Sequence, residues 1–477
     1  MLTPRRTKGA QKPSDANRIV AAALYLRATA YVELSDNRSA LDNFSAALNL
    51  DSTMARTHLA RGQLNASLER YDDAIHDLAA AIQIDPKLEE VCAAQLAGMY
   101  VKRGRTRIRY SYFANAIPDL REALRLNPRL ADELRSDLAD AHAGRGKQYQ
   151  DGEGRPDLAL EEYNAALVLV PDHSKTFLNR GLLHQKKQRY AEALEDLSRY
   201  IELQPAQSFG YCQRSWTYRL MNLFEDAVAD LDMAVHLEPD NDGYYADRGV
   251  VYHAMGEYER AVSQFDDALR ISPGKWRVLN LRGLSLRALS KLDEALADFT
   301  EALRLQFNDK DILNNRGITY LDKKDYSKAL DDFSLALRQN AKFAMARRNR
   351  SITFAKMGKF KQALTDLNEV VELVPDNADF HCDRGALLSE LGRHQEAIES
   401  FNRAIELKPE LAGARQKLAE TYRKLGNLDR AAAEDRRAEA LNPSIQEHVE
   451  VFEPDYYYQD NIDIAESSVQ CSVFSIQ

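Results

Sequence analysis

Residues 252–273 read YHAMGEYERAVSQFDDALRISP, and the spacing inside this stretch decides the fold. Ala261, Phe265 and Ala268 stand at i, i+4 and i+7, which places two small residues and one large apolar one on a single helical face, and Pro273 stops that helix. Outward from Ala261 the same small residue recurs along the chain as Ala40, Ala74, Ala116, Ala159, Ala193, Ala227, Ala295, Ala329, Ala363, Ala397 and Ala431. From Ala159 onward every step is 34 residues, and two longer steps of 42 and 43 flank Ala116. Such a period implies stacked helix pairs, because one pair cannot bury its apolar face without leaning on its neighbours.

Further marks keep step with the alanines. Twelve residues earlier stands a small residue (Gly62, Gly181, Ser215, Gly249, Gly283, Gly317, Ser351, Gly385), and nine earlier often an aromatic such as Tyr252 or Tyr320. Twelve residues later a proline usually follows, from Pro86 to Pro443. Small residues let two helices approach closely, and proline ends the second. With these marks the chain resembles the tetratricopeptide repeat family, most closely over Tyr252 to Pro273 and Arg282 to Ala302. The resemblance implies an all-α fold, a right-handed superhelical α-solenoid of about twelve helix-turn-helix repeats, with protein partners.

Three segments are expected. Residues 1–20 form a basic arm, carrying Arg5, Arg6, Lys8, Lys12 and Arg18 against Asp15, and are expected to be disordered. Residues 21–445 form the repeat solenoid, with longer repeats at about 90–130 and 132–173. Residues 446–477 hold seven carboxylates, no Lys or Arg, and Tyr456, Tyr457 and Tyr458, which suggests a disordered acidic tail able to fold back on the groove. Most of the formal charge of -9 sits there, so the body gives no electrostatic case for nucleic-acid binding. No stretch approaches the roughly twenty apolar residues of a membrane span. Four scattered cysteines without a paired motif suit the cytoplasm or the nucleus.

The extra residues of the long repeats are expected between first and second helices, around Arg103 to Phe113 as longer helices and around Gly144 to Asp157 as a loop. They are expected to divide the array, and Pro118 is assigned to a tolerated first turn. Lys102, Arg103, Arg105, Arg107 and Arg109 form either a basic docking ridge or a solvated helix face. No phosphate loop, zinc-spaced Cys/His set or nucleophile elbow occurs, so no catalytic, cofactor-binding or metal-ligating residue is assigned and no enzyme is expected. The ten histidines are scattered, with His381 and His394 expected at exposed positions.

An arginine stands just before the small residue in eight repeats: Arg61, Arg180, Arg214, Arg248, Arg282, Arg316, Arg350 and Arg384. Six of them are matched sixteen residues later by an aspartate, Asp77, Asp196, Asp230, Asp298, Asp332 and Asp366. A half-buried guanidinium needs a hydrogen-bonding partner, so a ladder of Arg–Asp pairs is expected, within or between repeats.

The family resemblance implies that first helices line a concave groove, with the residue two before the small one pointing into it. That row reads Asn179, Gln213, Asp247, Leu281, Asn315, Asn349 and Asp383, with Trp216, Arg219, His253, Arg287 and Arg348 nearby. Carboxamides donate and accept at once and suit an extended peptide backbone, while Trp and Arg anchor interfaces. The expected function is therefore a protein-protein interaction scaffold, self-association being left open. The alternatives are a co-chaperone adaptor or a cilium or cytoskeleton assembly subunit. The adaptor's carboxylate clamp is missing, since Asn280 with Leu284 and Asn314 with Ile318 stand where lysine-asparagine pairs would be.

Overall fold

The computed structural model describes residues 13–441, and the chain divides between Ala206 and Gln207 into two compact units. The first holds ten α-helices in chain order: α1 (Asp15–Glu33), α2 (Asn37–Leu50), α3 (Ala55–Ser67), α4 (Tyr71–Ile84), α5 (Glu89–Arg109), α6 (Phe113–Leu126), α7 (Ala131–Asp151), α8 (Pro156–Leu169), α9 (Ser174–Lys186) and α10 (Tyr190–Leu203). The second holds α11 (Ser208–Leu220), α12 (Phe224–Leu237), α13 (Asp242–Ala254), α14 (Tyr258–Ile271), α15 (Trp276–Ala288), α16 (Leu292–Leu305), α17 (Lys310–Asp322), α18 (Tyr326–Gln339), α19 (Ala344–Lys356), α20 (Phe360–Leu373), α21 (Ala378–Glu390), α22 (His394–Leu407), α23 (Ala412–Lys424) and α24 (Leu428–Leu441). Odd and even helices form antiparallel pairs, and within each unit every even helix also packs on the odd helix that follows it. The twelve helix pairs so described match the twelve alanines, each of which is buried.

The close approach has a specific cause. A Cβ on Gly283 would stand 2.8 Å from the Phe299 ring, and one on Gly317 would stand 2.7 Å from Phe333, so glycine is what lets the aromatic of the second helix seat against the first. Ser215 and Ser351 replace glycine where the facing residue is the smaller Leu231 or Leu367. Phe265, Phe299, Phe333 and Phe401 are fully buried in this way, each contributing about 2–3 kcal/mol of burial free energy. The three-residue turn within each ordinary pair holds its middle residue in the left-handed region. Gly256, Gly358, Gly392 and Gly426 accept this freely, whereas Glu69 (φ 58) and Lys324 (φ 62) carry strain.

Several expectations need correction. The eight extra residues of the long repeats lie at the N-terminal ends of α5 and α7, each of 21 residues, because the pairs Gly104 with Leu120 and Gly146 with Tyr163 hold the later turns in ordinary register. The second insert is thus mostly helix, and only Gly152 to Arg155 forms a loop, one residue longer than its counterparts. Both inserts lie inside the first unit, so the division falls after α10 and not at them. Pro118 sits in the second turn of α6, where its missing donor leaves out the bond to Ala114. The segment assigned to a disordered basic arm enters α1 at Asp15, capped by Ser14 accepting from the Asn17 amide at 3.2 Å. The rest of that arm and the acidic tail lie outside the described residues. His381 is buried, bonded to the Pro375 carbonyl at 2.8 Å, and His394 is half-buried.

Candidate functional site

The arginine ladder is present and runs both within and between repeats. In seven pairs the guanidinium forks onto the aspartate sixteen residues later, with Nε to Oδ2 at 2.8–2.9 Å and Nη2 to Oδ1 at 2.6–2.8 Å. Six are the expected pairs, and the seventh, Arg103 with Asp119, follows the same spacing in a long repeat. The remaining Nη1 turns to the second helix of the preceding repeat: Arg61 to Ser45 at 3.0 Å, Arg180 to Asn164 at 2.6 Å, Arg282 to Asp266 at 2.5 Å and Arg316 to Thr300 at 3.2 Å. Where the aspartate is missing, Arg248 finds Gln264 and Arg384 finds Ser400. Burial pushes the Asp230 and Asp332 carboxyls up despite their arginines.

Three of the five cations of the basic stretch on α5 make similar contacts. Arg103 and Arg107 both reach Asp119 of α6, and Arg105 reaches Asp137 and Glu133 of α7. Arg103, Arg105 and Arg107 therefore tie α5 to its neighbours, whereas Lys102 and Arg109 are exposed.

The row expected to face a peptide is largely committed to a second ladder between successive first helices. Its rungs join residues 35 apart: the Cys212 thiol to Asp247 at 3.4 Å, Asn315 Nδ2 to Asn280 at 3.0 Å, Asn349 Nδ2 to Asn314 at 2.9 Å, and Arg348 Nε to Asp383 at 2.7 Å. Asn315, Asn349, Asp383 and Arg348 are buried, Arg348 at only 1% exposure, so their polar atoms serve the stack. His253 and Arg287 are buried as well, His253 meeting Ser285 at 2.7 Å and Arg287 meeting Asp322 at 2.7 Å. Asn179, Gln213, Trp216, Arg219 and Asp247 are half-buried and alone keep part of their surface open. Burial pushes the Asp247 carboxyl up to about 6, against the pull of the Cys212 thiol and the Arg219 charge. Burial likewise pulls the His253 imidazole down to about 4.

A concavity does open lower on the same helices, among residues outside the sequence-derived set. Its volume is about 270 Å³, and it is lined by the last turns of α19, α21 and α23 together with Phe360 of α20. Ala355, Phe360, Ala386 and Leu387 make an apolar floor, and Lys356, Glu390, Lys417, Glu420 and Lys424 make a rim of both signs. Lys417 pairs with Glu420 at 3.1 Å, Lys424 with Glu390 at 2.9 Å, and Thr421 donates to Ser389 at 3.2 Å. The size suits one large side chain, being below the usual range for a whole small-molecule ligand. Among the described residues no group of three or more His, Cys, Asp or Glu side chains is placed to hold a metal, and no helix is long and apolar enough to cross a membrane.

A tetratricopeptide repeat model matches residues 25–89, 148–208, 215–275, 280–342 and 349–412, and a second one matches 388–443. No curated protein matches the chain. Similar solved structures include yeast Tom70, 17% identical, covering 90% of this chain and 99% of that one with a TM-score of 0.44. Another is the APC/C hetero-tetramer Cut9-Hcn1, 15% identical, with 93% and 96% covered and a TM-score of 0.42. A third, YrrB, described as a TPR protein with an unusual peptide-binding site, is 24% identical over 38% of this chain and 94% of that one, with a TM-score of 0.33.

Proposed function

For a chain that belongs to the tetratricopeptide repeat family, we propose the role of a non-catalytic scaffold that grips an extended segment of a protein partner across α19, α21 and α23. The observation that carries this reading is the concavity with its apolar floor. An extended segment crossing these helices would seat one large apolar side chain on Ala355, Phe360, Ala386 and Leu387. The rim holds lysines and glutamates together, so the residues flanking that anchor would carry charges of both signs rather than a single terminal carboxylate.

The test uses peptides selected from a random library on the immobilised full-length protein, with affinities measured by fluorescence anisotropy. Ala355→Trp fills the concavity from the half-buried side of α19 and should weaken the selected peptides at least about tenfold, equivalent to about 1.4 kcal/mol. Unchanged affinity, with helicity retained, would place binding elsewhere. A selected consensus lacking a large apolar residue would count equally against the reading.

A further inference from the structure

Helix α1 is apolar on two opposite faces. Ala21 and Ala28 are buried and Leu24 and Tyr25 are half-buried against the rest of the first unit. On the other side Asp15, Ile19, Ala22, Ala23, Leu26, Ala30 and Glu33 recur at three- and four-residue spacing, share one face, and are all exposed. Ile19 is 72% and Leu26 is 66% exposed. Between Arg18 and Glu33 the only charged residue is Arg27. A helix that is apolar all round is ordinarily buried all round. Later first helices obey this: the positions equivalent to Ala23 and Ala30 are Thr57 and Leu64 in α3, Thr176 and Leu183 in α9, and Ile312 and Thr319 in α17, every one of them buried.

We propose that the exposed face of α1 is covered by the same face of a second copy of this chain, the two helices lying antiparallel about a two-fold axis. The order of large and small residues is what selects this occupant. Ile19, Ala23, Leu26 and Ala30 are symmetric about the midpoint between Leu24 and Tyr25. Antiparallel pairing therefore sets Ile19 against Ala30 of the second copy and Ala23 against Leu26 of the second copy, large into small at every level. A parallel pair would set Ile19 on Ile19 and Leu26 on Leu26, leaving gaps at the alanines.

Charge points the same way. With the axis at that midpoint, Arg18 stands two residues, about 3 Å along the axis, from the level of Glu33 of the second copy and on the same flank. Arg18 already lies 4.0 Å from its own Asp15, so it sits between two carboxylates at each end of the pair. Head-to-tail stacking on α24 is disfavoured. Where α16 and α18 bury Leu303 and Leu337 for the next repeat, α24 presents the exposed Glu439. A closed dimer follows, not a filament. One helix of 19 residues is about 28 Å long and covers less than the roughly 800 Å² per partner of a standard interface, so association depends on concentration.

Sedimentation of the full chain from about 1 to about 200 µM should show the mass rising from 54.0 kDa toward twice that value. Leu26→Glu, an exposed substitution, should hold the mass at 54.0 kDa at every concentration with an unchanged circular dichroism spectrum. In a Cys471→Ser background, mixing Ile19→Cys with Ala30→Cys should give a disulfide between the two variants under mild oxidation, while Ile19→Cys alone should not. A mass of 54.0 kDa throughout would mean that the chain's own residues, or nothing, cover the stripe. That result, a dimer that survives Leu26→Glu, or self-crosslinking of Ile19→Cys would each overturn the proposal. Peptide binding at the α19 to α23 concavity is read separately and should be unaffected by Leu26→Glu.

Discussion

Replacing Arg316 by Met tests whether the arginine ladder stabilises the repeats or merely accompanies them. The guanidinium gives Asp332 two hydrogen bonds of 2.8 Å, and the carboxylate side chain keeps only 5% of its surface. Charge-assisted bonds are worth about 1.5–3 kcal/mol each, but the lost pair is partly offset because the arginine no longer has to be desolvated. Arg316→Met should therefore cost about 2–4 kcal/mol and leave a buried carboxyl. Asp332→Leu should cost about as much, stranding a guanidinium that is 19% exposed. The double variant, with apolar groups on both sides, should lie within about 1 kcal/mol of the parent, giving a coupling of at least about 3 kcal/mol. Native-state hydrogen exchange on peptides from α17 and α18 is the suitable assay, since long repeat arrays need not unfold in one step.

The arginine's removal also fixes a pH dependence. Burial already pushes the Asp332 carboxyl above its ordinary 3.8, and without Arg316 it rises further. A carboxyl raised in the folded state binds more protons there than in the unfolded chain, so stability falls as pH rises through that window. The penalty of Arg316→Met should accordingly shrink between pH 7 and pH 5. A coupling below about 0.5 kcal/mol, or a penalty independent of pH, would refute the reasoning.

Other outcomes follow from the same structure. Gly283→Ala would set a methyl 2.8 Å from Phe299 and should cost about 1–3 kcal/mol by thermal or urea denaturation. Lys324→Gly, at φ 62, should instead raise the melting temperature, gaining up to about 1 kcal/mol. The His253 imidazole, held down near 4, binds fewer protons folded than unfolded, so stability should drop as pH falls from about 6.5 toward 4, and His253→Asn should flatten that drop. Thiol reagents should leave Cys92, Cys212 and Cys382 unmodified until the fold opens, because all three are buried and burial pushes the Cys92 and Cys382 thiols up.

Much of the fold was legible because its determinants are local and periodic. Ala261 with Phe265, or Arg316 with Asp332, lie within one repeat, so a fixed spacing carries both the pairing and its reason. The long repeats are less legible because the sequence shows how many residues are added but not where. Only the contacts of Gly104 with Leu120 and Gly146 with Tyr163 reveal that the additions sit at the starts of α5 and α7. The candidate site was less legible. Asn315 and Asn349 looked like peptide contacts because polar side chains at a groove position are also what inter-repeat hydrogen bonds require, and only their burial separates the two uses. The rim of the concavity draws on Lys356, Glu390 and Lys424, which hold one position in three successive repeats but alternate in charge, so no recurring residue type marks the position in the sequence.

The rungs joining successive first helices also act as a key to repeat order. Deleting residues 310–343 would bring Asn349 opposite Asn280 and restore a carboxamide pair where Asn315 had stood, but it would also bring Lys356 opposite buried Arg287, which now meets Asp322. Deleting residues 378–411 would bring Lys417 opposite Arg348, which now meets Asp383 with almost no solvent access. Although the repeats from Ala159 onward share one length, they are not interchangeable cassettes. The carboxamide rungs are indifferent to which repeat follows, whereas the Arg287 and Arg348 rungs fix it.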